Sequence, residues 1–74
     1  MRIIFLPHAL DRMRQFGISE DEVRAVLDEP SEEGEANMVR SFSQKLVGNR
    51  LMRVVYNKSA DEVVVITAML RRRR

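Results

Sequence analysis

The sequence predicts a small α+β domain: a strand, two helices and three further strands, giving one mostly antiparallel sheet with a helical hairpin on one face. Three observations support this prediction. The chain has 74 residues, which is enough for one domain only. Its apolar residues recur at helical spacing in the first half and with period two in the second half. Gly, Pro, Asn, Asp and Ser separate these segments, as expected of turns. We assign residues 1–70 to the domain and residues 71–74 to a basic tail.

The first strand and the first helix follow directly from the start of the chain. Residues 2–6 (RIIFL) are a short apolar run, which favours a strand inside a sheet. Pro7 suits the first turn of a helix, where a missing N–H group is tolerated. Gly17 is placed to end that helix in the left-handed conformation. The apolar positions of the helix lie three and four residues apart, at Ala9, Met13 and Phe16.

A second helix is predicted immediately after the first, so that the two form a hairpin. Ser19 and Glu22 match a capping box, and the acidic residues of this turn favour the positive end of the helix dipole. Pro30 ends the helix. Residues 29–36 (EPSEEGEA) then form an acidic connector with turn residues and almost no apolar content, which we predict to be a mobile loop.

Three strands are predicted in the second half of the chain. Residues 38–47 and 50–56 flank Gly48-Asn49, a pair that suits a type II′ hairpin turn. Residues 62–70 are apolar at nearly every position and predict a strand inside the sheet, apolar on both faces. No element remains to cover the face of the sheet opposite the helices, so we expect that face to be accessible to ligands.

Composition limits the kinds of site that the chain can form. It has no cysteine and one histidine, which argues against a disulfide, a zinc site or any other metal or cofactor. The longest apolar run, residues 63–66, is too short for a membrane helix, and residues 1–6 are too short for a signal peptide. We therefore expect a cytoplasmic protein without membrane contact. Its small core is marginal, and homodimerisation or a bound partner could supply further burial.

The charges are unevenly distributed along the chain. Residues 1–37 carry four basic and nine acidic side chains, a net charge of −5, whereas residues 38–74 carry nine basic and two acidic ones, a net charge of +7. This asymmetry predicts a surface for a polyanion such as RNA, with RNA-binding contributions from Arg50, Arg72, Arg73 and Arg74. The alternatives are that the acidic residues only keep two helices soluble and that the terminal arginines are a solvated tail.

Two stretches resemble known bacterial families. The segment HALDRMRQFGIS, residues 8–19, is similar to the opening motif of the uncharacterised family known as domain of unknown function 4258. The segment RVVYNKSADEVVVITAMLRR, residues 53–72, resembles the hairpin of RelE/ParE-type toxins, a superfamily with a BECR nuclease-like fold. The order of the predicted elements also resembles that superfamily.

The resemblance implies a toxin of a toxin–antitoxin pair that cleaves RNA without a metal and is masked by a cognate antitoxin protein. By position it implies that Arg53 and Arg71, with Arg72 as an alternative one residue on, line the catalytic concavity. In the RelE pattern a tyrosine follows the terminal basic residues, but this sequence has none there. Proton transfer is therefore assigned to His8. Arg12, one helical turn after His8, would hold the scissile phosphate with Arg53 and Arg71.

These residue types suit that chemistry. RNA cleavage without a metal requires proton transfer from and to oxygen, and cations that stabilise the charged transition state. Histidine transfers protons near neutral pH, and the planar guanidinium group of arginine pairs with phosphate. Each residue also has a structural interpretation. His8 could join helix to sheet or lie at the surface, Arg12 could pair with Asp11 or Glu20, and Arg53 could form a buried salt bridge.

Two further functions compete with the ribonuclease prediction. The same domain could be a non-catalytic module that uses the open face of its sheet to bind a protein. It could also be a degenerate relative whose only property is a basic surface. Aromatic residues that could stack on bases are few, which argues against a dedicated single-strand-binding module. Packed positions suit them better: Phe5, Phe16, Phe42 and Tyr56.

Overall fold

Five strands and two helices make up the domain. The computed structural model describes residues 2–37 and 40–72. In chain order the elements are β1 (Arg2–Phe5), α1 (Pro7–Phe16), α2 (Glu20–Asp28), β2 (Glu32–Asn37), β3 (Arg40–Val47), β4 (Arg50–Lys58) and β5 (Glu62–Arg72). The strands form one sheet in the order β1-β5-β4-β3-β2. β1 runs parallel to β5, and the other three pairs are antiparallel.

The predicted order of strand, helix, helix and three strands is wrong, because the acidic connector contains a strand. Residues 32–37 form β2, which pairs with β3 at the edge of the sheet. An edge strand is exposed and tolerates charged residues, so β2 lacks the apolar pattern from which strands are recognised in sequence. The sheet is therefore five-stranded and mixed. The predicted fold class is thereby corrected to a small α+β domain with two helices and five strands.

The two helices follow the predicted start and stop residues. α1 begins at Pro7 and ends at Gly17, whose φ of 68° is left-handed and whose N–H bonds to the carbonyl oxygens of the last turn. At the start of α2, the Ser19 hydroxyl accepts from the Glu22 N–H at 3.1 Å, and the Glu22 carboxylate accepts from the Ser19 N–H at 2.9 Å. The predicted capping box is confirmed.

The tight hairpin between β3 and β4 sets the register of the sheet. Val47 pairs with Arg50 across Gly48-Asn49. Gly48 has a φ of 64°, and among the described residues only glycines have a positive φ. The turn therefore has the backbone that type II′ requires at its first central position.

The two faces of the sheet differ in what covers them. Alternate residues of β4 are fully buried on the face that meets the helices, which we call the helix face. α1 contacts β5, and α2 contacts β3 and β4. The core on this side combines both helices with the two longest strands, through Ala9, Met13, Val23, Val26, Met52, Val54, Val65 and Ala68. The side chains between these strand positions point to the other side, which we call the open face.

Some predicted features fall beyond what the structure describes. Residues 38–39, the start of the predicted strand 38–47 that corresponds to β3, are outside the described residues. So are the predicted RNA-binding residues Arg73 and Arg74 and the side chain of Arg72. Neither of the helices found in the described part of the chain has the length and apolar character needed to cross a membrane.

Candidate functional site

The open face carries an ordered grid of side chains across the three longest strands. Residues that pair across antiparallel strands point to the same face, so the register fixes which side chains are neighbours. Three rows result, running from β3 through β4 to β5: Phe42–Val55–Thr67, Gln44–Arg53–Met69 and Leu46–Leu51–Arg71. Arg53 is at the centre of this grid, and most of its neighbours are apolar.

Arg53 contacts an aromatic ring, and among the described residues it has no carboxylate partner. Its guanidinium carbon lies 4.0 Å from the centre of the Phe42 ring, which is a cation–π contact. The side chain is half-buried. Among residues 2–37 and 40–72, no ion pair includes it, so the buried salt bridge considered from the sequence is not found there. A half-buried guanidinium on an aromatic ring still has donors available for an anion.

The edge strand β2 holds this arrangement in place. A Cβ atom at Gly34 would come within 3.1 Å of Cε1 of Phe42, so the absence of a side chain on Gly34 leaves room for the ring. The Gln44 side chain donates to the Glu32 carboxylate at 2.8 Å. Glu32 extends the middle row onto β2, where it pairs with Gln44. Gln44 lies between Glu32 and Arg53 in this row and binds the carboxylate itself.

Arg71 shares the open face with Arg53, and it also lies beside Arg50 in a cleft at the edge of that face. Arg71 pairs with Leu51, so it is a diagonal neighbour of Arg53 on the adjacent strand. The Cα atoms of such neighbours are roughly 7–8 Å apart. With Arg50 it lines a shallow cleft of about 260 Å³ at the end of α1, whose other walls are Gln15, Phe16 and Leu70. The structure therefore brings Arg53 and Arg71 to one face, and Arg50 and Arg71 to one cleft.

His8 and Arg12 belong to a different surface. Both are exposed on α1, whose buried residues Ala9 and Met13 join the core on the helix face. Arg12 donates to the Gln15 amide oxygen at 3.4 Å, and Asp11 pairs instead with Arg14 at 3.7 Å. No hydrogen bond or ion pair of the His8 side chain is found among the described residues. The clefts lined by Arg50 or Arg71 do not include it either.

Tyr56 packs through its ring, as predicted. It points to the helix face, is 7% exposed, and its hydroxyl is 3.0 Å from that of Ser43. This buried pair satisfies both polar groups within the core. Tyr56 therefore does not contribute its hydroxyl to the open face.

Several residues of these surfaces were not identified from the sequence. Phe42 was assigned to a packed position, although counting back from the Gly48-Asn49 turn pairs Arg53 with Gln44 and places Phe42 diagonally beside it. The sequence does not indicate that Gln15 and Phe16 lie near Arg50 and Arg71. Their proximity depends on how α1 lies along β5.

The arrangement can bind an anion, but the described residues place no proton-transfer group next to the guanidinium groups. Arg53 and Arg71 can donate to a carboxylate or a phosphate. A general base must lie within hydrogen-bond reach of the proton that it removes, and the grid around Arg53 contains only amide, hydroxyl, thioether, guanidinium and apolar side chains. Within the described ranges, no group of three His, Asp or Glu side chains is placed to hold a metal ion.

Comparison with known proteins identifies one family. The family model described as "Domain of unknown function (DUF4258)" matches residues 5–70, which include both helices, β2 to β4 and most of β5. No curated protein and no solved structure matches the chain.

Proposed function

The chain belongs to the family of domain of unknown function 4258, and from that premise we propose that it is a non-catalytic protein-binding module. Its open face binds a segment of a partner protein that presents a carboxylate to Arg53 and apolar side chains to the surrounding grid.

The observation that carries the proposal is the position of Arg53. The guanidinium group is half-buried on the Phe42 ring, with apolar residues in the rows on either side and no carboxylate in contact among the described residues. Arginine and aromatic residues surrounded by apolar neighbours that exclude water are typical of the residues that dominate protein–protein binding. A partner carboxylate would form charge-assisted hydrogen bonds there, in a setting partly shielded from water.

The charge and shape of the open face define the partner segment. Val55 and Leu51 lie two residues from Arg53 in either direction, so they border it on the same strand. A segment with an acidic residue between apolar ones matches this order. The partner is an antitoxin, as the resemblance to RelE/ParE-type toxins implies. The proposal also includes membership of the RelE/ParE superfamily and a cytoplasmic location.

A metal-independent endoribonuclease is the second candidate. The shared face of Arg53 and Arg71 favours it, because two guanidinium groups can hold a phosphate. His8 weighs against it, because this residue is on α1, whose buried side joins the core across the sheet from Arg53. Cleavage would then need a proton-transfer group supplied by the partner or by the RNA-bound ribosome.

The test is co-expression with the protein encoded by the neighbouring reading frame. We expect a complex that co-elutes in size-exclusion chromatography, and we expect Arg53→Glu to weaken it by at least about tenfold in calorimetry, as for a central interface residue. Arg14→Glu, an exposed charge reversal on α1, is the matched control and should leave binding unchanged. Thermal unfolding of both variants checks that they are folded.

Three results would contradict the proposal or a part of it. Equal binding by Arg53→Glu and the unaltered chain would show that the open face is not the interface. RNA degradation by the purified chain that is lost in His8→Ala would support the ribonuclease instead. Failure of the neighbouring protein to bind at all would remove the antitoxin from the proposal.

A further inference from the structure

A second cleft, of about 470 Å³, lies on the helix face and is separate from the surface proposed above. It opens where the last turns of α2 leave the ends of β1, β4 and β5 uncovered. Its volume is within the range of small-molecule sites in proteins, roughly 300–1,000 Å³. It does not include Arg53, Arg71 or any other residue of the open-face grid.

The floor of the cleft is apolar. It is formed by side chains of four elements: Ile3 of β1, Leu27 of α2, Tyr56 of β4 and Val63 of β5. Val63 is 3% exposed and Tyr56 is 7% exposed, so both are fixed in the core. Because the Tyr56 hydroxyl is engaged by Ser43, the residue presents its ring to the cleft.

The rim of the cleft carries two cations and two anions. Arg24 and Asp28 lie one turn apart on α2, Glu33 projects from β2, and Lys58 lies at the end of β4. Within the described part of the chain, the ion pairs are Arg14–Asp11 and Lys45–Glu29, and neither uses a rim residue. The four charges therefore border the apolar floor without neutralising one another in close pairs.

This charge pattern restricts the ligand. A phosphate or a nucleic-acid backbone would meet the carboxylates of Asp28 and Glu33, and a polyamine would meet Arg24 and Lys58. A molecule that carries one charge of each sign can pair with both kinds of group and leave its apolar part on the floor. Such pairs are charge-assisted hydrogen bonds, which are stronger than neutral ones.

We propose that this cleft binds a zwitterion with an apolar side chain, of the size of an amino acid or a dipeptide. The carboxylate is held by Arg24 and Lys58, the ammonium group by Asp28 and Glu33, and the side chain contacts Tyr56 and its apolar neighbours. The site is independent of the proposed protein-binding function, because it lies across the sheet from Arg53.

The test uses the ¹⁵N-labelled full chain and four probes. Leucine and leucyl-leucine are expected to shift amide resonances of the cleft residues, with a dissociation constant in the millimolar range. N-acetylleucine lacks the ammonium group and leucinamide lacks the carboxylate, so each should bind at least about tenfold more weakly than leucine. Tighter binding of leucine identifies a free amino acid as the ligand, whereas tighter binding of leucyl-leucine identifies a peptide.

Matched substitutions locate the site. Glu33→Gln and Lys58→Met should each weaken leucine binding by about tenfold, because each removes one charged hydrogen-bond partner. Glu20→Gln and Arg14→Gln change the same charges outside the cleft and should leave binding unchanged. The proposal is overturned by equal shifts with all four probes, by shifts scattered over the surface, or by the absence of shifts at about 20 mM leucine and leucyl-leucine.

Discussion

At the scale of single residues, Arg53 shows how a cation can lie in the middle of a strand without a counter-ion from the part of the chain that the structure describes. The Phe42 ring lies against its guanidinium group, and the electron-rich face of the ring offsets part of the lost hydration. In the proposed complex, this contact would restrict the guanidinium group before the partner binds, which would lower the entropic cost of binding.

The buried hydroxyl pair on the helix face is a second residue-scale feature with a measurable consequence. Ser43 is 1% exposed, and its hydroxyl is 3.0 Å from that of Tyr56. Ser43→Ala should lower the free energy of unfolding by about 1–3 kcal/mol, because the Tyr56 hydroxyl is left buried without a partner. Urea denaturation measures the change.

A double-mutant cycle separates this hydrogen bond from packing. Tyr56→Phe removes the partner hydroxyl, so Ser43→Ala in that background should be much less destabilising than in the unaltered chain. Equal effects of Ser43→Ala in both backgrounds would mean that the two hydroxyls do not interact.

At the scale of elements, β2 adds an acidic edge strand to the sheet and supports the open face from the side. Three glutamates, Glu32, Glu33 and Glu35, make this edge unsuitable for pairing with another acidic strand, which is one way in which proteins limit edge-to-edge aggregation. Gly34 lets the Phe42 ring lie close to the strand. The strand thus contributes to the position of Arg53 without contacting it.

Gly34→Ala tests this support. The new Cβ would lie 3.1 Å from Cε1 and 3.3 Å from Cζ of Phe42, so the ring must shift by a few tenths of an ångström. We expect smaller ring-current shifts of the Arg53 side-chain protons in NMR spectra. Glu35→Ala, on the same strand and the other face, should leave these shifts unchanged. If Gly34→Ala gives unaltered Arg53 shifts, the ring is not held by this contact.

The capping box of α2 gives a second prediction at this scale. Ser19→Ala should lower the free energy of unfolding by about 0.5–2 kcal/mol, because the hydroxyl no longer accepts from the Glu22 N–H. Thermal or urea unfolding provides the measurement. Ser31→Ala is the control, since its side chain makes no hydrogen bond among those of the described residues. A change no larger than in Ser31→Ala would show that the cap contributes nothing.

At the scale of the whole molecule, the two faces of the sheet separate two kinds of surface. The open face has guanidinium groups among apolar residues, and the helix face has a core with a cleft of mixed charge at its end. The excess of positive charge in residues 38–74 predicts a general affinity for polyanions. Such affinity depends on charge alone and does not by itself indicate catalysis.

We expect the purified chain to bind RNA weakly and to leave it intact. Retention in a filter-binding assay should fall steeply between about 50 and 200 mM salt, because binding releases counterions from the phosphates. His8→Ala should leave this retention unchanged. It should also change the free energy of unfolding by no more than about 0.5 kcal/mol, since the residue is exposed. Salt-independent retention, or cleavage products on a denaturing gel, would contradict this expectation.

The sequence by itself determined the features that depend on residues close together in the chain. The ends of α1, the capping box at Ser19, the turn at Gly48 and the alternation in β4 are local, and each is confirmed. Membership of the family also agrees with the resemblance seen in residues 8–19.

Only the tertiary structure decided which elements lie side by side. The pairing of β2 depends on a free edge of β3, and an exposed acidic strand has no apolar pattern to indicate it. The separation of His8 from Arg53 depends on which side of the sheet α1 packs against, and no spacing within the chain encodes that side. Long-range packing, set by burial of Met13, Val54 and their neighbours, fixes both arrangements.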